Sequence, residues 1–147
     1  MTEYNRQKKH DIKNNNMKFP DSFYTFIRNN TLIEIKGGKE RETFLHIWVV
    51  EVNDRLFTRS WNKSPKSWFT AFVKTGVGQI KYGGQIMNVK GEKLPKKDKT
   101  NLLINDAYLN KYNQDGNIKY AEGISQQEYA EYTMELFFDG EESGVTL

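Results

Sequence analysis

Apolar and polar positions change their spacing several times along this chain, and each change marks a predicted element. Phe23, Phe26 and Ile27 recur at helical spacing behind Asp21 and Ser22, either of which suits a helix cap. Leu32 to Lys36 alternates with period two and stops at Gly37-Gly38, which reads as a strand and a turn. From Phe44 to Val52 apolar residues occupy both parities, so the spacing predicts one long strand buried on both faces, the wall of a barrel. Asn53-Asp54 tolerates positive φ, and Leu56 to Ser60 returns as the hairpin partner.

The period then lengthens again. Pro65 in the first turn behind a Ser64 cap, the stripe Trp68, Phe69, Phe72 and Val73, and a stop at Gly76 predict a helix of about three turns. Gly78 to Tyr82, Gly83-Gly84 and Gln85 to Lys90 spell a second hairpin, and Lys93 to Lys99 a solvated connection. Asn105 to Tyr112 is helical, with Ala107, Tyr108 and Lys111 along one side and Asp115-Gly116 closing it. Ser125 to Glu128 has capping-box spelling for a brief turn, and Met134 to Phe137 reads as a last strand. Short links let every strand pair antiparallel, so the expected fold is α+β: an antiparallel split β-barrel with flanking helices, its edges protected by closure.

Composition narrows the setting. The 147 residues suit one domain, and an aromatic share of 14% supplies a substantial core. Residues 1–18 are polar, rich in Asn and Lys, and read as a tail ahead of a domain over 19–147. No cysteine is present, which excludes disulfides, thiolate metal sites and a Cys nucleophile; no His, Asp and Glu cluster has ligand spacing either, so a metal site is set aside. The first residues lack the apolar run of a signal peptide and no stretch is long enough to cross a bilayer, so the expected location is the cytoplasm and no membrane role is expected. The sequons at Asn30 and Asn62 then carry no information.

The net charge of +3 conceals a dipole: Lys and Arg dominate up to Lys99, while Glu122 to Glu142 is acidic. A basic surface attracts an anion, either a cofactor phosphate or a nucleic acid backbone. The small net charge and the acidic last third rank nucleic acid low.

Gly38-Lys39-Glu40-Arg41-Glu42-Thr43-Phe44-Leu45, then Trp48-Val49-Val50, Leu56 to Ser60, and Ser67-Trp68-Phe69 before Gly76 and Gly78 resemble the core of the split-barrel flavin-binding superfamily. Together with Asp106-Ala107-Tyr108-Leu109-Asn110-Lys111-Tyr112 they resemble, more closely, a small bacterial family of unknown function that carries Ala-Tyr-x-x-Lys-Tyr after the same hairpins. The likeness runs from residue 22 to residue 138. It implies a split barrel, a homodimer, and FMN or a deazaflavin in a groove between subunits. In an enzyme of the deazaflavin nitroreductase type, electrons or hydride would pass between that ring and a small substrate. Of the superfamily's spelling around the first loop, Gly38, Arg41 and Leu45 are kept.

A flavin phosphate needs fixed cations with hydroxyl or backbone donors, for which Arg41, Arg59 and Lys66 beside Ser60, Ser64 and Ser67 are the candidates. The competing reading makes each a surface charge; Arg59, on a strand between apolar neighbours, is the best of them, or else the partner of a buried carboxylate. Trp48, Trp61 and Trp68 are candidates to stack on the ring, against the alternative of core packing, which fits Trp61 least because it lies in a loop. His46 is a proton donor beside a ligand or a hydrogen-bonded wall residue. Tyr108 and Tyr112 beside Lys111 close a groove or pack on the barrel. Gly76-x-Gly78 and Gly83-Gly84 are turns, not phosphate loops. The rival reading of the whole is a cofactor-free barrel acting as an anion- or protein-binding module.

Overall fold

The computed structural model describes residues 18–140, and the tail expected over 1–18 lies outside them apart from Lys18. Helix α1, Asp21–Asn29, buries Phe23, Tyr24 and Ile27. It starts from Pro20 without a side-chain cap: Asp21 instead places its charge in the first turn, near the positive end of the helix dipole, and the Ser22 hydroxyl meets that of Tyr82 at 3.1 Å.

Seven strands follow the expected order with one division. They are β1 (Ile33–Gly37), β2 (Leu45–Ile47), β3 (Val50–Val52), β4 (Arg55–Arg59), β5 (Val77–Tyr82), β6 (Gln85–Lys93) and β7 (Thr133–Phe138). They form one antiparallel sheet in the order β2-β1-β5-β6-β7-β4-β3. The predicted long strand 44–52 is thus two short ones that belong to opposite ends of the sheet, with only Trp48-Val49 between them. Because two residues span so little, the sheet must curl until its ends meet, and the chain closes what hydrogen bonds do not. The expected burial of both faces is corrected too: Leu45 and His46 are exposed, and full burial begins at Val49 and Val50. A hydrophobic run cannot reveal where a strand changes partner.

The first hairpin turns through Asn53 and Asp54, both at positive φ (52° and 65°), as their side chains allow. Helix α2, Trp68–Thr75, is capped by Ser67, whose hydroxyl accepts from the Thr70 amide, and is ended by Gly76 at φ 75°. Ser64 and Pro65 form the turn ahead of it, so the helix is about a turn shorter than predicted, and Val73 is 53% exposed instead of buried in the stripe. Phe72 is the residue that seats α2 on the sheet. A Cβ at Gly78 or Gly91 would collide with its ring, and one at Gly37 with the Trp68 carbonyl, so these strand glycines are the recess that receives the helix.

Helix α3, Thr100–Lys111, begins five residues before the expected Asn105, because Asp98 Oδ1 accepts from the Thr100 amide and the Asn101 amide group ties down the Pro95, Lys96 and Asp98 carbonyls. Helix α4, Ile118–Ile124, was not legible: Ala121 and Ile124 alone are buried in it, too few to set a period. Ser125 does not cap the following 3-10 segment, Gln127–Tyr132; its hydroxyl donates back to the Ala121 carbonyl at 2.7 Å.

Two cores result. Phe23, Ile35, Leu56, Phe72, Ile80 and Met134 fill the space under α1 and α2, while Val50, Phe57, Ile104, Tyr108, Tyr112 and Ile124 join α3 and α4 to the sheet. Among the described residues no helix is long and apolar enough to cross a membrane, and no cluster of metal-ligating side chains forms.

Candidate functional site

A cavity of about 400 Å³ opens at the junction of β2 and β3, and Arg41, Trp48, Arg59, Ser60, Trp61, Lys66, Ser67 and Trp68 all line it. His46, Leu45 and Ile47 of β2 complete one wall. Its volume falls in the range of about 300–1,000 Å³ usual for small-molecule sites.

The cations there differ sharply. Arg59 is buried, and each of its N–H groups has a neutral acceptor: Thr133 Oγ1 at 2.9 Å, Asn105 Oδ1 at 2.5 Å, the Ile124 carbonyl at 3.0 Å, and the Asn101 side chain and carbonyl at 3.1 and 3.4 Å. No carboxylate lies within ion-pair distance of it among the described residues, so the carboxylate partner considered for it is not found. Burial pulls its pKa down, and the electrostatic influence of Tyr108 partly offsets this. An anion in the cavity therefore meets the charge of Arg59, not a vacant N–H.

Arg41 stands at the mouth. Its Nη2 donates to the carbonyls of Lys66 and Ser67, which fastens the loop after β1 to the turn before α2. Its other donors have no protein partner among the described residues, and neither has the ammonium of exposed Lys66. Side by side, these two present free positive charge. The hydroxyls are less available: Ser60 Oγ donates to the Asn62 carbonyl at 2.7 Å, and Ser67 caps α2.

The tryptophans also separate. Trp68 is buried, edge-on to Phe69 and Phe72 (6.0 and 6.2 Å between centroids), and one side of it faces the cavity. Trp61 is 45% exposed, edge-on to Tyr129 at 4.9 Å and to Tyr120 at 6.4 Å. Trp48 lies flat on Tyr112, with 3.9 Å between centroids and 7° between planes. His46, exposed on β2 and opposite Glu34 in register, lines the cavity.

The seam between β2 and β3 depends on α3. The Val49 amide donates to the Tyr112 hydroxyl at 3.0 Å, its carbonyl accepts from Lys111 Nζ at 2.7 Å, and the Thr58 hydroxyl donates to the Trp48 carbonyl at 2.6 Å. The Tyr112 hydroxyl donates to the Thr31 carbonyl at 2.8 Å, and that of Tyr108 accepts from the Arg59 amide at 2.8 Å. Backbone groups that have left the ladder are thereby satisfied by side chains. Burial pushes the Tyr108 hydroxyl up to about 12, raises that of Tyr112 further, and depresses Lys111 to about 8 against a smaller opposing pull from Glu51. Of the two roles expected for Tyr108 and Tyr112, closing a groove or packing on the barrel, their burial in the core shows the second; that their hydroxyls serve backbone groups was not visible. Asn101 and Asn105, the partners of Arg59, were missed as well, although their i, i+4 spacing with an adjacent Tyr108 was the available signal.

A family model described as an uncharacterized protein conserved in bacteria (DUF2255) matches residues 28–136, about three quarters of the chain, and the protein belongs to that family. The match spans every strand, from β1 to most of β7, and all eight candidate residues that line the cavity. No curated protein matches the sequence.

Proposed function

We propose that the cavity at the seam binds a planar, phosphorylated cofactor, FMN or a deazaflavin, with Arg41 and Lys66 at its phosphate and Trp48 or Trp61 against its ring. The observation that carries the reading is the placement of two cations with free donors beside two accessible indoles in one cavity. Charge-assisted hydrogen bonds hold a phosphate dianion, and an indole face suits a flat polarisable ring. Arg59 contributes long-range attraction from beneath, because its charge has no carboxylate within ion-pair distance among the described residues. With the ring supplying redox chemistry, the protein's share is position and field, and His46, in the same cavity, is the candidate proton donor to a bound substrate.

Titration of FMN and of riboflavin into the protein, followed by flavin and tryptophan fluorescence and by thermal shift, tests this. FMN is expected to bind more tightly than riboflavin by the contribution of its phosphate. Absence of quenching and of any shift with FMN and with a deazaflavin rejects the cofactor. The mass of the same sample in solution, with and without FMN, tests the homodimer that the resemblance implies.

A second reading draws on the occupied donors of Arg59: a barrel that keeps this arginine for structure and uses Arg41 and Lys66 for another anion, or for an acidic protein partner. It is favoured if inorganic phosphate raises the melting temperature and flavins do not.

A further inference from the structure

A second cavity, of about 560 Å³, lies on the other side of the seam between α1, β3 and α3. Lys111 reaches into its wall. One N–H of its Nζ is held by the Val49 carbonyl at 2.7 Å, and no carboxylate is within ion-pair distance of it among the described residues. Glu51, the nearest acidic influence, is occupied by Arg28, whose Nε and Nη2 lie 2.7 and 2.8 Å from its two oxygens. Three more polar side chains line the cavity with no protein partner among the described residues: Asp106 and Asn110, one turn apart on α3, and Asn53 in the β3–β4 turn.

We propose that this cavity is a reactive-amine site in which Lys111 condenses with a small neutral hydroxyaldehyde. The anchoring bond to Val49 uses a hydrogen, so in the neutral amine it leaves the nitrogen lone pair without a competing protein donor. Partial burial lowers the cost of shedding the proton near neutral pH, which enlarges the share of nucleophilic amine. Unpaired carboxylate and carboxamide groups are the acceptors and donors that aldehyde hydroxyls require, whereas Asp106, which has no ion-pair partner among the described residues, disfavours a substrate that carries its own carboxylate.

The step balances without any oxidant. The lone pair adds to the carbonyl carbon, the π pair moves onto oxygen, and that oxygen takes the proton shed by nitrogen. That hydroxyl takes a second proton, from solvent, and leaves as water with the C–O bonding pair while the nitrogen lone pair forms the C=N bond, so the iminium keeps one N–H for the Val49 carbonyl.

The test uses the full chain with glycolaldehyde and sodium cyanoborohydride at pH 7.5 (roughly the physiological range in which depressed lysines react first), followed by peptide mapping. Lys111 is expected to carry the reduced adduct at glycolaldehyde concentrations that leave exposed Lys63, Lys66, Lys96 and Lys97 unmodified, and to saturate. Lys111→Arg is expected to remove that adduct with the circular dichroism spectrum unchanged, and glyoxylate to label more slowly than glycolaldehyde. Adducts that follow side-chain exposure, with Lys111 spared, overturn the site; faster labelling by glyoxylate overturns its substrate class.

Discussion

The Tyr112 ring lies flat against that of Trp48, 3.9 Å between centroids, while its hydroxyl accepts from the amide of the very next residue, Val49. One side chain therefore holds both the cavity-facing indole and the backbone joint that closes the sheet. Removing only the hydroxyl separates these roles. Tyr112→Phe keeps the stack but strands the Val49 amide and the Thr31 carbonyl, and is expected to cost about 1–3 kcal/mol. Urea unfolding with the slope unchanged checks it; a loss within error would show that water replaces the hydroxyl at no cost.

Arg59 joins β4 to α3, α4 and β7 through neutral acceptors. Arg59→Met is expected to destabilise by about 3–5 kcal/mol, comparable to breaking a buried ionic network, since several acceptors lose their donor together. Asn101→Ala should cost less, and the pair should be markedly non-additive because they share a network. Denaturation of the single and double variants measures the coupling.

The recess under Phe72 gives a steric prediction. Gly78→Ala drives a methyl group into the ring and against the Lys36 carbonyl, and is expected to destabilise by about 1–3 kcal/mol, with Phe72→Leu in the same chain returning only the ring's share of the loss. Thermal unfolding of the two singles and the double decides; additivity would mean that the ring is not what the methyl meets.

Stability should pass through a maximum in alkaline solution. Below about pH 8 both folded and unfolded Lys111 carry the proton, and its burial opposes folding in full. From about 8 towards the ordinary value of 10.5 the unfolded chain holds more protons, so stability rises with pH. Tyr108, ordinarily near 10 and here raised to about 12, acts oppositely: above pH 10 the unfolded state ionises first and stability falls, and Tyr112 adds to the fall. Subtracting the Lys111→Met profile from that of the wild type should leave the rising limb alone.

For the cavity, Arg41→Ala and Lys66→Ala are each expected to weaken FMN about tenfold or more, the size of one charge-assisted bond, and to leave riboflavin nearly unaffected. Equal losses for both ligands would mean that these cations shape the cavity without meeting a phosphate.

Both hairpins, the last strand and the α+β class were readable because alternation and turn chemistry agree there: Asn53-Asp54 adopts the positive φ its residues permit, and Gly83-Gly84 does likewise. The break at Trp48-Val49 was hidden, because satisfaction of the Val49 backbone groups comes from side chains 62 and 63 residues away in sequence, and local pattern does not encode them. The start of α3 depends in the same way on Asn101 gathering carbonyls across a loop. The eight candidate side chains converge on one cavity because the hairpin end, the turn before α2 and the seam adjoin, yet composition could not disclose that Arg59 would already be surrounded by acceptors while Arg41 and Lys66 would not.

Because the outermost strands are three residues each and run into one another through a two-residue joint, the sheet offers no ledge long enough for a foreign strand to register upon. A companion approaching either of these two edges is therefore left with side chains, not a main-chain ladder, to grip.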